Sequence, residues 1–184
     1  MPVQIGASTH SFSDPTGLLS DCHRRVEMFL GALQAVAVTA HQKLTGEARR
    51  SLDLGLRYFR EAAPKHTADE EESLFPRLRA MNDPELDAVI KTAEALEVDH
   101  RWAEPLHNEV DAIGTRYLES GELSAADTAR FREAVEQLAE MYRRHIQLED
   151  TQVFPIAARK LSAEQKTKIA EEMAKRRSVK VTTL

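Results

Sequence analysis

The sequence predicts an all-α protein: an antiparallel up-down four-helix bundle followed by a short extra C-terminal helix. Apolar residues recur at alternating steps of three and four along the long stretches, which is the spacing of one helix face. Helix start and stop signals are dense, whereas strand signals are nearly absent. Of the 184 residues only 5% are aromatic and 30% are charged, and the abundant Ala, Leu, Glu and Arg favour helix. Four long helices with short connections pack naturally as an antiparallel bundle.

Capping residues and prolines divide the chain into five helical runs. Asp14-Pro15 and Asp83-Pro84 each combine an N-cap with a proline at the first helical position. The predicted runs cover about 15–41, 46–81, 84–119, 125–161 and 163–177, with bends at Pro64, Pro76 and Pro105. The predicted organisation is a flexible N-terminal arm over 1–13, the bundle over 14–161, and the short helix and tail over 162–184.

Charge and cysteine content restrict the function classes. The chain carries 25 Lys and Arg against 30 Asp and Glu, a net charge of −5, which argues against a nucleic-acid partner. Cys22 is the only cysteine, so no internal disulfide can form and a reducing cytoplasm is the expected location. No apolar run approaches the roughly 20 residues of a membrane span. We therefore expect a cytoplasmic protein without a membrane or nucleic-acid partner.

Histidines and glutamates interrupt the apolar stripes in a pattern that occurs twice. The strings HTADEEESLFP, from His66, and HIQLEDTQVFP, from His145, share H-x-x-x-E-[ED]-x-x-[LV]-F-P. The strings HRRVE, from His23, and HRWAE, from His100, share H-R-x-x-E. The chain therefore looks like a duplicated helix pair, and a bundle would bring the four histidines to nearly the same level.

A metal site is the physical reason to place such residues on buried stripes. Glu70 and Glu149 each follow a histidine by four residues, which places both side chains on one helix face with Cβ atoms about 5–6 Å apart. Burying ionised carboxylates without a partner is costly, and these stripes carry no lysine or arginine. Cations would compensate the charge. Imidazole together with carboxylate favours iron, manganese or zinc over calcium or magnesium.

Two structural explanations compete with a metal site. The histidines could be four separate core residues, each with its own local hydrogen bond. Glu70 and Glu149 could belong to solvated acidic faces, because other acids directly follow them: Glu71, Glu72 and Asp150. The helical spacing of the apolar stripes instead predicts that Glu70 and Glu149 face inward and that those three acids face outward.

Four further residues are candidates for the same site. Glu27 and Glu104 end the two H-R-x-x-E strings and would supply additional carboxylates if they faced inward. His107 lies two turns beyond His100, about 10 Å along the helix axis, so a position beside the site suits it better than ligation. Tyr142, one turn before the last histidine, could donate a hydrogen bond to a bound oxygen species, although core packing is the more common role.

These motifs together resemble the hemerythrin-like (HHE cation-binding) family, whose pattern is H…HxxxE…H…HxxxE. The resemblance covers roughly residues 14–161 and includes the F-P after each HxxxE. It implies six metal ligands: His23, His66, Glu70, His100, His145 and Glu149. It also implies a non-heme diiron centre, two iron ions with an oxo or hydroxo bridge, for which manganese or zinc could substitute. The glutamates would bridge the irons, and an open coordination position would accept O2, NO or a peroxide.

The resemblance leaves the function open between several classes. Oxygen-carrying hemerythrins have a fifth histidine one turn after the third-helix ligand, and Glu104 occupies that position here, which argues against reversible O2 carriage. The main hypothesis is a protein that binds or senses O2, NO or reactive oxygen species, or responds to iron. The alternatives are a diiron enzyme (an oxidase, ferroxidase or peroxide scavenger) and a metal-free helical interaction module. The sequence does not identify a protein partner.

Overall fold

Helices make up the regular secondary structure of the computed structural model, which describes residues 10–179, and no strand occurs within that range. The α-helices are α1 (Pro15–Thr39), α2 (Gly46–Glu61), α3 (Ala63–Ala68), α4 (Phe75–Ala80), α5 (Asp87–Ser120), α6 (Ala125–Leu148), α7 (Phe154–Lys160) and α8 (Ala163–Arg176). Two π-helices, π1 (Asp69–Leu74) and π2 (Glu149–Val153), and a 3₁₀ turn (Pro84–Leu86) lie between them. The predicted all-α class is therefore confirmed.

Local capping explains where several helices begin and end. The Thr45 side chain accepts a hydrogen bond from the backbone N–H of Ala48 at the start of α2. At the start of α8, Ser162 and Gln165 form a reciprocal capping box. Gly121, which follows α5, has a φ of +78°, a left-handed conformation that glycine adopts without a Cβ penalty. These side-chain caps and the left-handed glycine thus explain where α2 and α8 begin and where α5 ends.

The two π-helices interrupt the second and fourth long runs, one at each copy of the H-x-x-x-E motif. In π1 the backbone N–H of Phe75 donates to the carbonyl of Glu70, five residues earlier. The same bond recurs in π2 between Phe154 and Glu149. A proline follows each phenylalanine, and proline cannot donate to the carbonyl four residues before it. The repeated F-P pair therefore accounts for the wider turn, a feature frequent at functional sites.

The three prolines at which the sequence predicts bends lie at different places in the helices. Pro64 lies just past Ala62, the residue that separates α2 from α3, and Pro76 lies at the start of α4. Pro105 lies inside α5, which continues through it as one helix.

The chain divides into two units, each with its own apolar core. Within the described residues the first unit comprises 10–25, 64–97 and 146–179, and the second comprises 26–63 and 98–145. The core of the first unit contains Leu19, Leu74, Phe75, Leu86, Leu96, Val153, Ile169 and Met173. The core of the second contains Leu33, Leu52, Ile113, Tyr117, Phe131 and Leu138. The first core includes residues of α8, so this short helix is packed into its unit.

The chain termini set the limits of the structural description. Residues 1–9 of the predicted arm and residues 180–184 of the predicted tail lie outside the described residues. At the start of the described part, the backbone N–H of His10 donates to the Asp21 carboxylate over 2.8 Å. Between residues 10 and 179 no helix has both the length and the apolar character needed to cross a membrane.

Candidate metal centre

Four side chains predicted as ligands converge in the first unit and form what we call the buried His/Glu cluster. Its members are His23 from α1, His66 from α3, Glu70 from π1 and Glu149 from π2. Each offers one ligand atom, and these atoms all lie within 4.8 Å of one another. All four residues are buried, and neither glutamate has any exposed surface. The cluster therefore has the donors and the spacing that one cation requires.

The imidazoles of the cluster direct their Nε2 atoms toward the carboxylates. His23 Nε2 lies 3.0 Å from Glu149 Oε2 and 4.0 Å from Glu70 Oε1. His66 Nε2 lies 3.2 Å from Glu70 Oε1. The two rings are nearly perpendicular, with centroids 5.0 Å apart, and the ring of Phe154 stacks on His23. The phenylalanine of the second F-P pair thus forms one wall of the cluster.

The electrostatics of the cluster favour a cation. Burial raises the pKa of Glu70 well above its usual range, and the neighbouring carboxylate of Glu149 raises it further. Burial alone would lower the pKa of His23, but hydrogen bonds to Asp150 and Glu149 outweigh it and raise that pKa to about 9. Without metal these groups would therefore hold protons. A transition-metal ion suits the same imidazole and carboxylate donors and would replace those protons.

Asp150 does not have the solvent-facing position that the stripe register predicts. Its Oδ1 accepts hydrogen bonds from His23 Nδ1 at 2.9 Å and from the Ser20 hydroxyl at 2.8 Å, and its Oδ2 accepts one from Arg24 at 2.9 Å. A register counted at about 3.6 residues per turn does not hold through π2, where the turn is wider. Asp150 consequently faces α1. The prediction that Glu72 faces outward agrees with its exposed side chain.

Asp69 is a further buried acid that the sequence did not single out. It directly precedes Glu70 and is fully buried. Arg176 Nη1 lies 2.9 Å from its Oδ1, and Arg177 Nη2 lies 2.6 Å from its Oδ2. The C-terminal end of α8 therefore neutralises a charge next to the cluster, an arrangement for which the acidic run DEEES gave no local signal.

The second unit brings together the other two predicted histidine ligands. The Nε2 atoms of His100 and His145 lie 3.1 Å apart, and their ring centroids lie 4.6 Å apart. His145 is buried and His100 is half-buried. On the far side of the His145 ring, Nδ1 lies 3.5 Å from an Asp99 oxygen. In sequence His145 precedes Glu149 by one helical turn.

His107 and Tyr142 bind each other in the second unit. The Tyr142 hydroxyl and His107 Nε2 are 2.9 Å apart, and Phe59 stacks on the His107 ring. Burial lowers the pKa of His107 to about 4, so this imidazole is neutral at pH 7. The Tyr142 ring lies edge-on to His145 with centroids 6.1 Å apart. Within residues 10–179 His107 belongs to none of the groups of His, Cys, Asp and Glu side chains that could hold a metal ion.

Glu27 and Glu104, which end the two H-R-x-x-E strings, are both exposed. The buried stripes of α1 and α5 pass through the preceding residues, Val26 and Ala103. Each glutamate is therefore rotated by about 100° out of the stripe.

Comparison with known proteins identifies a cation-binding family, which is consistent with the buried His/Glu cluster. The family model of the hemerythrin HHE cation-binding domain matches residues 14–157. An uncharacterised protein of Haemophilus influenzae is 28% identical over 171 residues, which cover 92% of this chain and 94% of that protein. No solved structure gives a significant match. The predicted bundle with a short C-terminal helix is confirmed as the fold class. With all six predicted His and Glu ligands inside the matched range, this chain belongs to the hemerythrin HHE cation-binding domain family.

Proposed function

We propose that this protein holds a non-heme diiron centre, through which it binds or senses O2, NO or reactive oxygen species or responds to iron. The observation that carries the proposal is the buried His/Glu cluster, whose four ligand atoms lie within 4.8 Å of one another. Membership of a cation-binding family supports it.

The proposed ligands are the six residues of the repeated motifs: His23, His66, Glu70, His100, His145 and Glu149. His23 and His66 would hold one ion, His100 and His145 would hold the other, and Glu70 and Glu149 would supply the carboxylate oxygens. The 3.1 Å approach of the His100 and His145 Nε2 atoms supports a second binding position, because two imidazole nitrogens this close together are suited to a shared cation.

When bound, the two irons would supply an open coordination position and redox chemistry for a diatomic or peroxide ligand. The chain's own residues prepare the position. His23 and His66 present Nε2, Glu70 and Glu149 supply compensating charge, and the buried ring of Phe154 excludes water from one side. Manganese or zinc would fit the same donors.

A diiron enzyme, either an oxidase or ferroxidase or a peroxide scavenger, is the second candidate function. The hydrogen-bonded pair of His107 and Tyr142 beside His145 favours it, because a neutral imidazole bonded to a phenol can hold or pass a proton. Turnover separates the two candidates. Consumption of peroxide or Fe(II) over many cycles indicates an enzyme, whereas a stoichiometric adduct with NO or O2 indicates binding or sensing.

Metal analysis and absorption spectroscopy of the purified protein test the proposal. We expect two irons per chain and a charge-transfer band in the near-ultraviolet to visible range. His66→Ala should lose most of the iron, and His41→Ala, which alters an exposed histidine bonded to Gln42, should keep it. Absence of any transition metal after aerobic purification and iron reconstitution would exclude both diiron functions and leave the metal-free interaction module.

A further inference from the structure

We propose that Asp150 is a positioning residue that fixes the His23 ring so that its Nε2 faces the buried His/Glu cluster. The inference rests on the proposed function, in which His23 is a metal ligand. Sequence alone assigned Asp150 to the solvent-facing side of its helix, so this role follows only from the structure.

The two nitrogens of His23 face different partners. Nδ1 lies 2.9 Å from Asp150 Oδ1, and Nε2 lies 3.0 Å from Glu149 Oε2. An ionised carboxylate can only accept hydrogen bonds, so Nδ1 carries the proton toward Asp150 and the Nε2 lone pair is left for a cation. Ligating histidines commonly donate their second N–H in this way, which fixes both tautomer and ring orientation.

Asp150 is itself held in place by α1. The Ser20 hydroxyl donates to the same oxygen that His23 uses, over 2.8 Å, and Arg24 donates to the other oxygen over 2.9 Å. Ser20, His23 and Arg24 follow one another at helical spacing on one face of α1. The side chain of Asp150 is only 18% exposed. One turn of α1 therefore holds the carboxylate from three sides.

Consecutive residues of π2 consequently have complementary roles. Glu149 enters the cluster as a donor, and Asp150 turns away from it to hold the ring of another donor. His145 shows a looser arrangement, because its Nδ1 lies 3.5 Å from Asp99 Oδ2 and both Asp99 oxygens accept from Arg144. The contact between His23 Nδ1 and Asp150 is thus the shorter of these two imidazole–carboxylate contacts.

The alternative to positioning His23 is a purely structural role, in which Asp150 only stabilises the packing of π2 against α1 through its hydrogen bond with Arg24. Asp150→Ala removes the acceptor, whereas Asp150→Asn keeps an amide oxygen that can accept from Nδ1–H. The matched control is Asp111→Asn, which breaks a carboxylate pair with Arg60 in the second unit. Urea unfolding of each metal-free variant reports the structural contribution separately from metal binding.

Zinc is the probe for affinity and for ring orientation, because it is diamagnetic and fits the same donors. In competition with a chelator we expect Asp150→Ala to weaken zinc binding about 10- to 100-fold. Asp150→Asn should weaken it less, and Asp111→Asn should leave it unchanged. In ¹⁵N-edited NMR of the zinc-loaded protein, the hydrogen-bonded Nδ1–H of His23 should persist in wild type and Asp150→Asn and disappear in Asp150→Ala.

Unchanged zinc affinity and an unchanged Nδ1–H signal in Asp150→Ala would overturn the inference and leave the proposed function intact. Loss of stability without loss of affinity would overturn it too, in favour of the purely structural role. If the wild-type protein binds neither zinc nor iron, the proposed function fails and the inference fails with it. If Asp150→Ala does not fold, the zinc affinity of Asp150→Asn decides the result. An affinity below that of both wild type and Asp111→Asn supports the inference, and an affinity equal to theirs overturns it.

Discussion

Glu70 and Glu149 are fully buried carboxylates that lie beside each other and next to imidazoles of the first unit. Each unit has its own apolar core, so these polar residues are not needed to build the fold. Their mutual repulsion opposes ionisation in the metal-free protein. A bound metal ion would instead favour ionisation of both carboxylates, because the ionised forms are its ligands. At the scale of single residues, the cluster is therefore better explained by chemistry than by stability.

Glu149→Gln should separate the contribution of the cluster to metal binding from its contribution to stability. The substitution removes a ligand charge and its repulsion of Glu70, so metal content should fall sharply while the metal-free protein keeps or gains stability. Glu72→Gln, at an exposed residue paired with Arg176, is the control and should retain the metal. Metal analysis and thermal unfolding of the metal-free variants measure both quantities. Equal metal loss from both variants would contradict the assignment of Glu149 to the cluster.

His107 should make the stability of the protein depend on pH. Its pKa is lowered from 6.5 to about 4, so the unfolded chain binds a proton that the folded protein does not bind between these values. The stabilisation is present above pH 6.5 and is lost as the pH falls toward 4. At 1.36 kcal/mol per pKa unit, the loss near pH 4.5 is about 3 kcal/mol.

Urea unfolding at pH 7 and pH 4.5 checks this dependence on His107. His107→Gln should lose less stability than wild type over the interval, whereas His41→Gln, at an exposed position, should behave like wild type. The same loss in all three proteins would show that His107 is not the group responsible.

At the scale of elements, the π-helices and α8 determine where the cluster lies. Each H-x-x-x-E motif enters a π-helix at or next to its glutamate, and a phenylalanine and a proline directly follow each π-helix. The end of α8 supplies two arginines to the buried Asp69, beside Glu70. The cluster thus depends on the two π-helices that carry its glutamates and on the end of α8, which carries no ligand.

Pro155→Ala should test the contribution of π2. Alanine restores an N–H that can bond the carbonyl four residues earlier, which would favour a regular α-turn and shift Glu149. We expect helix stability to stay unchanged or to increase. Metal affinity should fall by at least about tenfold, because the loss of a group that orients a metal ligand typically has an effect of this size. Pro105→Ala, at a proline inside the continuous α5, is the control for removing a helical proline. Equal metal affinity in both variants would show that π2 does not position the ligand.

The arginines of α8 should be important for stability. In the double variant Arg176→Gln with Arg177→Gln, Asp69 becomes a buried charge without its cations, which costs about 3–5 kcal/mol. Lys168→Gln, which breaks an exposed pair on α8, should change stability by less than about 1 kcal/mol. Adding Asp69→Asn to the double variant should restore part of the loss. Urea unfolding measures each change, and a double variant as stable as Lys168→Gln would contradict this account of Asp69.

At the scale of the whole molecule, the fold class and the convergence of His23, His66, Glu70 and Glu149 could be predicted, because helical periodicity and the repeated spacing encode both. The π-helices could not be, since a constant 3.6-residue register assumes regular turns. The position of Asp150 followed from the same assumption and was wrong. The partners of Asp69 lie far along the chain, on α8, where no local pattern indicates the pairing.

The proposed function requires the repeated motifs to hold two iron ions. A crystal structure of the iron-loaded protein, with anomalous scattering measured at the iron absorption edge, tests it most directly. We expect two iron peaks, one bound by His23 and His66 and one bound by His100 and His145, with Glu70 and Glu149 as the carboxylate ligands. Iron bound only to exposed acids, or no iron peak at the buried His/Glu cluster, would contradict the claim.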